Sequence, residues 1–120
     1  MEKINICAKI SSTSLEKQII NTCGIKDNNI IKYNEIEKEI CIKILKEKIV
    51  LTRESEKEKI RLEFTKKNKS NSYIKLKDMD KRVLLDIITK EILINKNQLN
   101  INYIIDNEEY EYDISWEVLV

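Results

Sequence analysis

An acidic segment near the C-terminus contains Glu108, Glu109, Glu111 and Asp113. Paired carboxylates act as general acid and base only where burial drives their pKa values apart. Glu111 and Asp113 alternate with Tyr112 and Ile114, so we expect these two carboxylates on a solvated outer face. The chain also contains no histidine to serve as a general base. We therefore predict no catalytic residue and a protein that is not an enzyme.

Three cysteines, Cys7, Cys23 and Cys41, are scattered along the chain. They form no CxxC pair, and the absence of histidine removes the usual zinc spacings. An odd number of widely spaced thiols fits a reducing compartment. We predict no metal site and no cofactor, with the cysteines serving as small residues of a sheet.

Arg53 is the cation placed best to meet a ligand, because it continues the face of Ile49 and Leu51. It could bind an anionic group at the end of a barrel. The interpretation we prefer is that its aliphatic stem follows the core while the guanidinium meets a carboxylate at the rim, as long cationic side chains commonly do. A second basic group, the loop lysines Lys66, Lys67 and Lys69, lacks the glycines or helix N-terminus of a phosphate site and is interpreted as a solvated loop.

Four aromatic side chains are expected to face inward: Phe64, Tyr103, Tyr112 and Trp116. Such residues present flat apolar walls with polar tips, as in a pocket that holds a small molecule. The same residues also fill the core of any small domain. Of the two interpretations we prefer the core, because aromatic residues bury large areas in any small domain.

The composition bounds the class of protein. The chain has 120 residues, with 22 basic and 21 acidic side chains and a formal charge of +1. This balance gives no overall attraction to nucleic acid or to an anionic membrane. Met1 to Lys3 lead directly into an alternating stretch, so neither a secretory signal nor a membrane span is predicted. We expect residues 1–120 to form one cytoplasmic domain.

The strongest structural signal lies between residues 83 and 118. Successive side chains of a strand point to opposite faces, so apolar residues at period two predict half-buried strands. The three predicted faces are Val83, Leu85, Ile87 and Thr89; Leu99, Ile101, Tyr103 and Ile105; and Tyr110, Tyr112, Ile114, Trp116 and Val118. A bend near Thr89 and Lys90 is expected to continue the first run to Ile94.

Residues 12–25 allow two interpretations. Thr13 and Glu16 have the spacing of a helix capping box, whereas the alternation that follows favours a strand, which we prefer. Gly24 is the single glycine of the chain and predicts a bulge or a positive φ at the end of that strand.

Shorter alternating runs occupy the rest of the chain, at a spacing of roughly 8 to 12 residues. Hairpin connections of this kind predict an all-β antiparallel meander. About eight strands is the number at which a barrel is filled by side chains or holds one small ligand. The predicted fold is a single antiparallel up-and-down β-barrel of about eight strands, with the last strand near the first.

Several landmarks resemble those of a known family. They are Tyr73, the runs 83–90 and 99–105, the closing alternating strand, Arg53 at a strand end and Gly24 after the second strand. This pattern resembles the YwiB-like family of bacterial β-barrels. The resemblance implies a calycin-like or lipocalin-like barrel and lends no activity. In this chain Glu54 and Ser55 follow Arg53 where that family places a glycine, and the aromatic-rich middle segment is compressed to residues 30–37.

Two functions of different class follow. The first is a non-enzymatic barrel that binds a small apolar or amphipathic ligand, lined by Arg53, Phe64, Tyr103, Tyr112 and Trp116. The alternative is a structural or interaction module with a filled barrel, in which a homodimer or protein partner meets an apolar strip at Ile92–Ile94 or Val118–Val120. Nucleic acid and membrane partners are not expected, since the chain lacks a basic groove with outward aromatics.

Overall fold

The computed structural model describes residues 1–66 and 70–119. The described part of the chain forms one sheet of antiparallel strands. The strands are β1 Glu2–Ser12, β2 Gln18–Asp27, β3 Ile30–Glu35, β4 Lys38–Ile44, β5 Ile49–Glu54, β6 Glu58–Phe64, β7 Ser72–Leu76, β8 Lys81–Leu85, β9 Ile87–Asn95, β10 Gln98–Ile105 and β11 Glu108–Val118. Within these residues there is no helix of the length and apolarity needed to cross a membrane.

The N-terminal strand lies inside the sheet rather than at its edge. The strand order is β8-β7-β6-β5-β4-β3-β2-β1-β11-β10-β9, so β1 pairs with both β2 and β11. The sheet curls until β6 approaches β9. Phe64 on β6 then packs against Tyr103 on β10, with ring centroids 4.7 Å apart. The result is a nearly closed, barrel-like sheet in which the last strand lies beside the first, as the sequence predicts.

The predicted all-β antiparallel fold is confirmed, but the predicted number of about eight strands is wrong, since the described residues form eleven. The run 83–94 is not one bent strand, because it breaks at Asp86 into β8 and β9. β8 pairs with β7 and β9 pairs with β10, so the two strands form the opposite edges of the sheet. The bend expected near Thr89 and Lys90 is present inside β9, where the register with β10 shifts. Such a bulge leaves one residue unpaired and turns the strand.

Residues 18–27 form a strand, which confirms the preferred interpretation of this segment. Asp106 and Asn107 form the turn between β10 and β11. Both residues have positive φ, at 50° and 66°. Two consecutive residues of this kind make the two-residue hairpin turn whose twist matches the flanking strands.

The core is the concave face of the curled sheet. Alternation turns one side of each strand inward, and burial of an aliphatic or aromatic side chain contributes about 1.5–3 kcal/mol. The fully buried hydrophobic side chains come from both halves of the sheet and include Ile4, Ile31, Ile40, Ile42, Ile49, Phe64, Leu99, Ile101, Tyr112 and Ile114.

Gly24 has a different role from the predicted one. It does not have a positive φ, and its register with β1 and β3 is continuous, so it marks neither a turn nor a bulge. A Cβ atom at this position would meet the carbonyl oxygen of Lys32, and would lie 2.6 Å from Cδ1 of Ile6 and 3.1 Å from Cβ of Tyr33. Glycine is required because the neighbouring strand and the core occupy the space of a side chain.

Replacing Gly24 with alanine should therefore destabilise the fold. The backbone contact cannot be relieved by a side-chain rotation, and overpacking of this kind costs about 1–3 kcal/mol. The check is the free energy of unfolding in urea. Asn21→Ala, at an exposed position of the same strand, is the control and should change stability by less than about 0.5 kcal/mol. Equal stabilities of the two variants would contradict this account of Gly24.

Candidate ligand-binding site

A pocket of about 220 Å³ lies at one end of the sheet. Its walls come from both halves of the sheet, namely from the end of β1, the segment leading to β2, and strands β5, β6, β10 and β11. The lining residues are Ile10, Ser11, Ser12, Leu15, Glu16, Gln18, Leu51, Arg53, Ile60, Leu62, Tyr103, Tyr110 and Tyr112. An apolar lining with a few polar groups is the usual composition of a small-molecule site.

The rim of the pocket is held by hydrogen bonds between the two ends of the chain. The Ser12 hydroxyl donates to Oε1 of Glu108 at 3.3 Å, and the Tyr110 hydroxyl donates to Oε2 of the same carboxylate at 2.7 Å. The Thr13 amide donates to the Glu109 carbonyl at 3.1 Å. The Leu15 amide donates to Oγ of Ser12 at 3.0 Å, which closes a turn at the end of β1. These contacts fix Leu15 and the segment before β2 beside the aromatic wall.

Arg53 brings a positive charge, and Glu16 a negative one, to this mostly apolar lining. Strand pairing places Arg53 between Ile40 and Ile60, so its stem lies along the inner face of the sheet. Its Nη2 atom is 3.5 Å from Oε1 of Glu35, and both side chains are largely buried. That separation exceeds a normal hydrogen bond. Nε of Arg53 and Oε1 of Glu35 are buried without a hydrogen-bond partner among the described residues.

Two buried tyrosines lie close to this ion pair. The hydroxyl oxygens of Tyr33 and Tyr112 are 2.5 Å apart, and either can donate. Burial raises the pKa of Tyr33, and it raises the pKa of Tyr112 well above the ordinary value. The charge of Arg53 acts against burial at both phenols, whereas the charge of Glu35 acts with it. Both phenols are neutral near pH 7 and serve as hydrogen-bonding groups rather than as bases.

Tyr103 and Tyr110 form the aromatic wall of the pocket. Their rings are stacked, with centroids 5.3 Å apart and planes 10° from parallel. Burial raises the pKa of Tyr103 to about 12, with Arg53 opposing that shift and Tyr110 adding to it. The hydrogen bond to Glu108 is the main reason that the pKa of Tyr110 is raised.

Three of the five predicted ligand-binding residues, Arg53, Tyr103 and Tyr112, line the pocket together. Phe64 packs behind Tyr103 and is fully buried. Trp116 is buried in the hydrophobic core, outside the pocket lining.

Sequence reasoning missed Tyr33, Glu35, Tyr110 and the contribution of the segment before β2. Tyr33 and Tyr112 are 79 residues apart, and no local pattern indicates that they meet. Tyr110 could have been predicted, because it lies two residues before Tyr112 and so points to the same inner face of β11. Leu15 and Glu16 lie between β1 and β2, in a segment without regular alternation. The sequence therefore did not indicate which way these two side chains face.

Glu108 of the acidic segment lies at the rim of the pocket, whereas the other sequence candidates lie elsewhere. Asp113 and Glu111 accept hydrogen bonds from Asn100 at 2.9 and 3.0 Å on the outer face. The three cysteines are free thiols, and the described residues hold no cluster of three potential metal ligands. Lys66 is exposed, whereas Lys67 and Lys69 lie outside the described residues.

The two predicted interaction strips are partly exposed. Leu93 and Ile94 are about half exposed, and Val118 and Leu119 are exposed to a lesser degree. Ile92 packs against the core, and Val120 lies outside the described residues.

Comparison with known proteins gives one informative result. No family model and no curated protein matches the sequence. Among solved structures, the chain is similar to the crystal structure of the ywiB protein from Bacillus subtilis. The TM-score is 0.75 with 16% sequence identity, and the superposition covers 99% of this chain and 93% of the other. The two chains share a fold.

The predicted resemblance to YwiB-like barrels is therefore confirmed for the fold. At this identity most side chains differ, so the YwiB-like fold assigns no role to Arg53 or to the tyrosines. Their roles follow from the contacts within this chain.

The buried phenols make stability depend on alkaline pH. Tyr103 keeps its proton in the fold to about pH 12, whereas an unfolded tyrosine loses its proton near pH 10. Its stabilising contribution is complete below about pH 10 and is lost between about pH 10 and 12, because there the unfolded state binds fewer protons.

The Tyr103→Phe variant should therefore lose less stability than wild type over this range, by about 2–3 kcal/mol. Urea unfolding at several values between pH 9 and pH 12 measures the difference. Parallel losses in the two proteins would show that Tyr103 ionises normally in the fold.

Proposed function

We propose that this protein is a non-enzymatic binding barrel whose pocket takes a small amphipathic molecule with one anionic group. The observation that carries the proposal is Arg53, an under-bonded guanidinium that lines an otherwise largely apolar pocket. The calycin type of barrel, which holds one small ligand, is part of the proposal. It is supported by a pocket shared between strands of both halves of the sheet.

The incomplete hydrogen bonding of the Arg53 guanidinium favours a ligand with an anionic group. A guanidinium has five N–H donors, and the one described charge partner of Arg53 is Glu35 at 3.5 Å. Leaving a buried donor without a partner costs free energy, about 1–3 kcal/mol for a neutral group and more for a charged one. Nε is buried, but the Arg53 side chain is 25% exposed, so a carboxylate in the pocket would supply acceptors for the accessible terminal N–H groups of the guanidinium, in the paired geometry that arginine and carboxylate favour.

The remaining walls favour an apolar body of small size. Leu51, Ile60 and Leu62 line one side, and the stacked Tyr103 and Tyr110 line another. The volume of about 220 Å³ is below the roughly 300–1,000 Å³ of pockets that hold drug-sized ligands. This volume favours short-chain aliphatic or simple aromatic carboxylates over long fatty acids.

Binding without catalysis fits the chemistry of the pocket. The chain contains no histidine, and the raised pKa values of Tyr33, Tyr103 and Tyr112 keep these phenols protonated near neutral pH. A cytoplasmic location is also part of the proposal, since Cys7, Cys23 and Cys41 are free thiols of the kind a reducing compartment maintains.

The test compares ligands that differ only in charge. Hexanoate and phenylacetate should raise the melting temperature of the protein, and hexanol and phenylethanol at the same concentrations should raise it much less. A ligand present at about 100 times its Kd adds about 2.7 kcal/mol to the free energy of unfolding. If the alcohols stabilise as well as the acids, the pocket does not select an anion; if none of the four stabilises, the binding proposal fails.

The matching variant is Arg53→Met, which keeps an aliphatic stem and removes the charge. It should abolish the difference between acid and alcohol. Lys96→Met removes one positive charge from an exposed turn and should leave that difference unchanged. An equal loss in both variants would assign the effect to net charge rather than to the pocket.

A further inference from the structure

The β7–β8 hairpin continues the sheet beyond β6, the strand that approaches β9. Within the described residues β8 pairs on one side only, with β7. Its side chains are unusually exposed for an apolar strand, with Leu84 74% and Val83 43% exposed. A free edge with apolar side chains is a template for pairing with another strand.

We propose that β8 is a homodimerisation edge, at which β8 of a second copy adds antiparallel and joins the two sheets. The occupant is a second copy because β8 is complementary to itself in one register. A two-fold axis perpendicular to the sheet keeps each side chain on its own face, and directly opposed residues of two strands share a face. The axis must therefore lie between one residue of β8 and the same residue of the second copy.

The charges select that residue. With the axis at Leu84, the two Leu84 side chains face each other and Val83 faces Leu85. Arg82 then lies opposite Asp86 of the second copy, the residue directly after β8. With the axis at Val83, Asp80 would face Asp86, and with the axis at Arg82 the two guanidinium groups would meet. Opposite charges directly across a strand pair stabilise it, and like charges destabilise it. The Leu84 register therefore combines an apolar centre with two symmetry-related ion pairs.

In the single chain Arg82 is held within the hairpin. Its guanidinium lies 4.1 Å from the centroid of the Tyr73 ring, and Tyr73 pairs with Leu84 from the β7 side. The Arg82 side chain therefore has to turn from Tyr73 toward the open edge to meet Asp86 of a second copy. The other free edge, β9, contains the bulge at Lys90 and is approached by β6, and bulges are a common means of blocking edge pairing.

Sedimentation equilibrium of the full chain over a range from 1 μM to 1 mM tests the dimer. The edge is short, so we expect a dimer with a dissociation constant in the micromolar range. A monomer throughout that range overturns the proposal, as does an open series of larger oligomers, because an isologous pair closes at two copies.

Charge reversal tests the register. Arg82→Asp and Asp86→Arg each place two pairs of like charges across the interface, and each should raise the dissociation constant about tenfold, a change equivalent to about 1.4 kcal/mol. The double variant R82D/D86R restores opposite pairs and should recover the wild-type constant. A double variant weaker than either single variant would contradict the Leu84 register.

Disulfide trapping gives a readout that does not depend on charge. Directly opposed Cα atoms of an antiparallel pair are about 4.5–5.5 Å apart, within the roughly 4.4–6.8 Å that a disulfide spans. With the native free thiols Cys7, Cys23 and Cys41 replaced by serine, Leu84→Cys should therefore form a covalent dimer on mild oxidation. Leu93→Cys, on the half-exposed face of β9, is the matched control and should not. Cross-linking through position 93 but not 84 would place the interface on the other edge and overturn the proposal.

Discussion

The antiparallel pairing of β1 with β11 is the constraint on which the structure depends. It runs from Ile4 opposite Val118 to Ser12 opposite Tyr110, and it joins two meanders that have no other long strand pairing between them in the described sheet. Along this seam Ile6 lies opposite Trp116, and Ala8 opposite Ile114. The small side chain of Ala8 leaves room for its larger neighbours. A one-residue slip would turn every one of these side chains to the opposite face.

The candidate site inherits this dependence, because its two chemical parts come from different meanders. Arg53 and Glu35 belong to strands on the β2 side, whereas Tyr103, Tyr110 and Tyr112 belong to strands on the β11 side. The bond between Tyr33 and Tyr112 crosses from one to the other. The bonds from Ser12 and Tyr110 to Glu108 tie the rim at the point where β1 and β11 pair. The pocket therefore depends on the pairing of β1 with β11, and we expect the two to form and unfold together.

The alternation of apolar and polar residues was sufficient to predict an antiparallel barrel-like sheet, because a period of two residues is a local signal that indicates β-strands. It could not show that the run 83–94 breaks at Asp86, because strand membership depends on partners distant in sequence. Gly24 illustrates a second limit. The sequence indicates that no side chain is present, but whether glycine serves a turn or a close contact depends on what lies opposite, here Lys32 and Ile6. The same reasoning explains the site. The alternation within each strand indicates which residues face inward. The contact between Tyr33 and Tyr112 depends instead on how the sheet curls and brings distant strands together.

The position of Arg53 is not explained by stability. Taking a guanidinium and a carboxylate out of water costs several kcal/mol per ion, and only good geometry with full hydrogen bonding offsets this cost. The pair with Glu35 is 3.5 Å long and leaves one buried atom on each partner without a hydrogen bond to any residue that the structure describes. The flanking residues Ile40 and Ile60 form an environment in which an aliphatic side chain of similar volume would be at least as favourable. The buried Nε of Arg53 and Oε1 of Glu35 are therefore a cost of this placement that no hydrogen bond among the described residues offsets.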